Sequence, residues 1–129
     1  MPETFTVEII TPDKLILKSE ANEVTIPSYE GEMGILKDHI PLITFLRPGI
    51  LLVKSKEEKK FYIEEGTVEF SNNNLLILTS TAKDLEKFDK NLINNLISDA
   101  EQKLEDNNST DKEKYVLSYQ INTLKEISR

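Results

Sequence analysis

The chain has 129 residues, a net charge of −7 and a pI near 4.8, with 38% hydrophobic and 30% charged residues. It holds no cysteine and one histidine, which excludes disulfides, thiolate metal sites, cysteine nucleophiles and any multi-histidine metal centre. The acidic balance argues against direct contact with nucleic acid or anionic lipid, which needs clustered Lys and Arg, and no apolar run approaches the roughly 20 residues of a membrane span.

The opening, MPETFTVEII, has neither the charged, apolar and small-residue succession of a signal peptide nor the Arg-rich amphipathicity of a transit peptide, so a cytosolic protein is expected. Residues 4–82 read as short strands. Thr6–Ile10 and Leu15–Leu17 flank a turn at Thr11-Pro12-Asp13, with Phe5, Val7 and Ile9 alternating along the first of them. From Val24 to Gly49 three apolar segments, Val24–Ile26, Gly34–Leu36 and Ile40–Leu46, are punctuated by Pro27, Gly31, Pro41, Pro48 and Gly49. Ile50–Val53 and Phe61–Ile63 flank the charged tip Lys54–Lys60, a predicted hairpin. Val68–Phe70 and Leu75–Leu78 flank Ser71–Asn74, whose asparagines suit a turn with left-handed residues. Many short strands with turns at this spacing predict a sandwich or barrel rather than a parallel sheet.

Near Asp84 the period changes. Phe88, Leu92, Ile93, Leu96, Ile97, Ala100 and Leu104 follow the spacing of an amphipathic helix, and Asp84, Glu86 and Asp89 complement the dipole at its start. Asp106–Ser109 breaks it. Thr110 and Glu113 then match a capping box, and Leu117, Ile121 and Leu124, flanked by Val116 and Ile127, form a second stripe. The expected fold class is α+β: an N-terminal all-β sandwich, residues 1–86, followed by a C-terminal antiparallel two-helix hairpin, residues 87–129. Neither helix stripe is wide, so the hairpin must dock on the sandwich or on a partner. Periodicity is compatible with permanent docking and with a moving part.

No catalytic constellation emerges. His39, the one imidazole and so the usual acid–base residue type, adjoins Asp38, but neighbours on a strand point to opposite faces, and no G-x-S-x-G elbow is present. Glu32 and Asp38 could serve as acid and base, a weak signal among 23 acidic residues. Phosphate-binding glycine loops are absent, and Gly31 and Gly34 are read as turn residues with positive φ. Two function classes stay open: a structural or regulatory subunit of a larger machine, or a stand-alone β-sandwich that binds a ligand or regulates. Four Tyr, five Phe and no Trp, scattered along the chain, give the second little support.

The run V-x-I-I-T-P (Val7 to Pro12), then V-x-I-P (Val24 to Pro27), G-E-x-G-I-L (Gly31 to Leu36), H-x-P (His39 to Pro41), L-R-P-G (Leu46 to Gly49), Gly66 and I-L-T-S-T-A (Ile77 to Ala82) resembles the epsilon subunit of bacterial F-type ATP synthases, equivalent to the mitochondrial delta subunit. The order and spacing cover almost the whole chain. The resemblance implies a flattened sandwich of about ten strands followed by two helices. It also implies a non-catalytic central-stalk subunit without a cofactor, bound to the gamma subunit and resting on the c-ring. Such a subunit couples proton-driven rotation to ATP synthesis and is peripheral at the cytoplasmic face of the bacterial inner membrane, reaching the membrane only through the complex. Gly31, Glu32, Met33, Asp38 and His39 are the residues the resemblance places at the c-ring and gamma interface.

In many relatives the helices move, folding on the sandwich or extending along gamma to the alpha/beta head. Some relatives bind ATP through an I/L-D-x-x-R-A motif. Here that run is Phe88-Asp89-Lys90-Asn91-Leu92-Ile93: Asp89 is kept, but Leu92 replaces the arginine and Ile93 the alanine, which predicts weak or absent ATP binding. The basic residues available to an extended last helix, Lys112, Lys114, Lys125 and Arg129, are offset by Asp111, Glu113 and Glu126, which predicts weak self-inhibition. Glu65 stands where many relatives have a second glycine.

Overall fold

The structure is a computed structural model and describes residues 3–106 and 108–128. Arg129 of the expected basic set lies outside the described residues. Ten strands come first: β1 (Phe5–Ile10), β2 (Leu15–Ala21), β3 (Glu23–Ser28), β4 (Gly31–Leu36), β5 (Leu42–Leu46), β6 (Gly49–Lys54), β7 (Glu58–Ile63), β8 (Gly66–Ser71), β9 (Asn74–Thr79) and β10 (Ala82–Asp84). A 3₁₀ turn, Leu85–Lys87, leads to helices α1 (Lys90–Leu104) and α2 (Asp111–Ile127).

The strands form two leaves. One runs β10-β7-β6-β3-β4 and the other β5-β8-β9-β1-β2, and the single pair Ser28↔Leu46 between β3 and β5 joins them. Every pairing is antiparallel except β1 with β9, where Thr6 lies opposite Asn74 and Ile10 opposite Leu78. Alternation places Phe5, Val7 and Ile9 of β1, Leu51 and Val53 of β6, Val68 and Phe70 of β8, and Leu75 and Ile77 of β9 in one shared core. Phe5 meets Phe70 edge-on with centroids 5.6 Å apart. Among the described residues one ion pair forms, Lys54 to Glu23 at 3.4 Å, with both side chains partly exposed, a geometry of little energetic weight.

The loops explain several of the punctuating residues. Asn72 and Asn73 both take positive φ, 51° and 58°, in the two-residue β8–β9 turn, as their composition predicts. Gly31 takes φ 121° just after the Tyr29-Glu30 turn. Gly49 matters for closeness: a Cβ there would stand 2.6 Å from Cβ of Pro27, so the I-P and P-G motifs are two halves of one tight corner. The backbone N–H of Arg47 donates to the Pro27 carbonyl at 2.9 Å and closes it.

Four readings need correction. Gly34 is not a turn residue: it lies within β4 opposite Thr25, outside the left-handed region. Asp38 and His39 lie in the β4–β5 connection rather than on a strand, and Asp38 itself has φ 67°. The charged stretch Glu58–Lys60 is paired with β6, which shortens the hairpin tip to Ser55–Glu57. The first helix begins at Lys90, not near Asp84, because Ala82–Asp84 pairs with Ile63–Phe61 of β7 as a tenth strand and a 3₁₀ turn intervenes. Asp84 caps that turn by accepting the Glu86 N–H at 3.0 Å.

Candidate functional site

The two broad faces of the sandwich differ. On β7, Phe61 and Ile63 point into the core, so Tyr62 points outward, yet it is fully buried. The helices cover it. Tyr62, Ile93 and Leu124 form a second core, with Leu85, Phe88, Leu96, Ile97 and Ile127 packed around them. Phe88 meets the Tyr62 ring edge-on at 5.7 Å. Asp89 caps α1 by accepting the Asn91 N–H at 2.7 Å, and Thr110 caps α2 by accepting the Glu113 N–H at 3.1 Å while its hydroxyl donates to the Glu113 carboxylate.

Polar and aromatic contacts border this second core. The Arg47 guanidinium lies 4.2 Å from the Tyr119 ring centroid, Tyr119 packs edge-on against Tyr115 at 4.9 Å, and Tyr115 stacks on Tyr29 at 6.0 Å. This chain of rings joins α2 to the β3–β4 turn and the Arg47 corner. Burial, and then the charge of Glu65, push the Tyr29 hydroxyl above its ordinary pKa. Beside the second core, the Gln120 amide donates to the Glu64 carboxylate at 3.3 Å. Burial raises the Glu64 pKa, against the opposing pull of Lys103 and Lys83. The Tyr62 hydroxyl adjoins both Glu64 and Gln120 and closes a hydrogen bond to neither; burial, and then the charge of Glu64, drive its pKa far up.

The outer face of the other leaf carries no helix. In register across it run two rows: Ile43, Glu69, Leu76 and Glu8; and Phe45, Thr67, Leu78 and Ile10. Ile43 is 77% exposed and Phe45 64%, with Ile40, at 74%, next to them in the loop before β5. Leu78 is also exposed. Large apolar side chains grouped on one uncovered face mark an interaction surface.

The five residues expected at an interface do not converge. Gly31 and Glu32 begin β4, and Asp38 and His39 follow its far end, a separation of about 17 Å along six strand residues. Glu32 is exposed on β4, opposite Pro27, while Met33 is half-buried against the sandwich core. Asp38 is held by Asn73: its N–H donates to the Asn73 amide oxygen at 2.7 Å, and the Asn73 amide donates back to its carboxylate at 3.0 Å. His39 Nδ1 sits 2.7 Å from the Ile40 carbonyl and its ring packs edge-on against Phe70 at 5.9 Å. Asp38 therefore does not orient His39, and no acid–base pair forms. Among the described residues no cluster of three potential metal ligands is present.

Comparison with known proteins agrees with this architecture. The family described as ATP synthase, Delta/Epsilon chain, beta-sandwich domain matches residues 4–84. The ATP synthase epsilon chain of Pelagibacter ubique is 45% identical over 99% of this chain and all of its own length. That of Gloeothece citriformis is 34% identical over 91% of this chain and 86% of its own. A chain in the structure of the Euglena gracilis mitochondrial ATP synthase OSCP/F1/c-ring assembly shares the fold with a TM-score of 0.82, at 22% identity, covering all of this chain and 84% of that one. A chain from the Tetrahymena thermophila mitochondrial central stalk and c-ring does so with a TM-score of 0.68, at 17% identity, covering 96% of each. The chain belongs to the ATP synthase delta/epsilon family and, as such, is a stalk subunit of a membrane-associated enzyme complex. No described helix is long and apolar enough to cross a membrane.

Proposed function

We propose that this chain is a non-catalytic rotor subunit of a proton-translocating bacterial F-type ATP synthase, peripheral at the cytoplasmic face of the inner membrane. It couples c-ring rotation to ATP synthesis in the catalytic head. One observation carries the reading: in a chain of this family, the sandwich face left bare by the hairpin presents Ile40, Ile43, Phe45 and Leu78 to solvent. We assign that face to the gamma subunit. The exposed start of β4 at Glu32 and the Asp38–His39 connection are left for the c-ring and the edge of the gamma contact. The sandwich, residues 1–86, acts as the coupling unit and the hairpin, residues 87–129, as an appendage able to reach the alpha/beta head if it extends.

The test is capture of the tagged chain from gently solubilised membranes, comparing the unaltered chain with Phe45→Asp and Ile43→Asp. The unaltered chain recovers gamma with the alpha and beta subunits, and each variant, still folded by circular dichroism, loses gamma at least about tenfold, the equivalent of 1.4 kcal/mol in an interface core. Undiminished recovery by both variants overturns the assignment of the face.

The hairpin also bears on nucleotide. Asp89, the surviving member of the ATP motif, is engaged in capping α1, and Leu92 offers no guanidinium. Calorimetry of the isolated chain is expected to detect no ATP binding at micromolar concentrations. A micromolar Kd overturns this.

A further inference from the structure

Glu64 and Glu65 form the two-residue connection by which the chain crosses from β7 in one leaf to β8 in the other. The Thr79 hydroxyl donates to the Glu65 carbonyl, which ties the crossing to the end of β9. The half-buried Glu64 side chain lies at the margin of the hairpin's docking site. Around it stand Tyr62 from β7, Lys83 from β10, Lys103 from α1, Gln120 from α2 and Glu65 beside it on the connection.

This setting treats the two protonation states of Glu64 differently. The Gln120 amide donates to the carboxyl in either state and more strongly to the carboxylate, but at 3.3 Å the bond is long and its preference for the ionised form small. The Tyr62 hydroxyl adjoins the carboxyl without closing a hydrogen bond, so it compensates an ionised group only in part. Lys83 and Lys103 act through space alone, Lys103 from an exposed position where solvent screens it. A protonated Glu64 needs no counter-charge, and half-burial at the margin of the α2 docking site favours that form. An ionised Glu64, half-buried while the hairpin is docked, gains hydration when α2 moves off.

We propose that Glu64 is a proton-operated latch on the helical hairpin: protonated it permits tight docking of α2 on the sandwich, and ionised it loosens that docking. The latch is a property of the chain alone and holds whatever partner the hairpin reaches. The docked state binds the proton more tightly than the released one, since burial raises the Glu64 pKa. Its contribution to docking is therefore full below the ordinary glutamate value of 4.5 and is lost as pH rises through the raised value.

The experiment uses the full chain. Amide hydrogen exchange is followed across residues 117–124 of α2 between about pH 4 and pH 8, as protection factors corrected for the intrinsic exchange rate, with β9 as internal reference. Protection of α2 relative to β9 is expected to fall at least about threefold over this range. Glu64→Gln, which keeps an acceptor for Gln120 and cannot ionise, is expected to hold α2 protection high and flat. Carbon-13 titration of the Glu64 carboxyl in the unaltered chain gives a second readout that needs no variant to fold, and its pKa should exceed 4.5. A Glu64→Gln chain that retains the unaltered pH dependence, or a Glu64 carboxyl titrating at or below the ordinary value, overturns the proposal.

Discussion

The sandwich interior and the hairpin junction are two cores built on different scales. Inside the sandwich, sixteen buried residues from both leaves interlock. At the junction three buried residues, Tyr62, Ile93 and Leu124, are ringed by partly buried ones, and the contact is completed by an aromatic chain and one amide–carboxylate bond. The first core is continuous through all its strands, so it fails as a whole. Opening the second would leave the first intact, because its three buried residues lie outside the sandwich interior. A chain can thus carry a rigid coupling body and a separable arm without a flexible linker between them.

Three substitutions probe that contrast. Phe70→Ala, in the sandwich core against Phe5 and His39, should cost about 3–5 kcal/mol and lower the urea midpoint of the whole chain. A loss confined to the helices would show that the sandwich core is not one unit. Leu124→Ala should cost about 2–5 kcal/mol, charged to the hairpin alone: exchange protection collapses in α1 and α2 and persists in β8 and β9. Global unfolding instead would merge the two cores into one. Arg47→Gln removes the cation over the Tyr119 ring and should weaken docking by about 0.5–1 kcal/mol, read as a small, uniform drop in α2 protection. No change there would leave the aromatic chain as packing without energetic weight.

Much of the sandwich was legible because its signals are local. Asn72 and Asn73 announce their left-handed turn and Thr110 with Glu113 a helix start, while Pro27 and Gly49 mark breaks between segments without showing that they meet. The tenth strand was not: three residues are too few to show a period, and Ala82–Asp84 is a strand only because β7 offers it an edge. The position of the hairpin was half legible. Phe61-Tyr62-Ile63 is apolar at three successive strand positions, the pattern of a strand covered on both faces, a signal that the reading of this run as a hairpin strand did not use. The candidate surface was missed for the opposite reason. Ile43 and Phe45 lie in the apolar segment Ile40–Leu46, which does not tell one face from the other, and the folded strand shows that Leu46, not they, faces inward. Glu64 carried no signal at all, since its setting is assembled from β7, β10, α1 and α2.

The parallel pairing of β1 with β9 sets a timetable for the chain as it is made. Thr6 finds its partner Asn74 sixty-eight positions later (74 minus 6), so the first strand emerges from the ribosome long before one of its two neighbours exists. At ordinary synthesis rates that wait lasts roughly 3–14 s, with one edge of β1 open and β2 alone to shield the other. Glu8, on the outward side of this apolar strand, places a charge in the nascent segment, the kind of residue that discourages pairing with another copy during that interval.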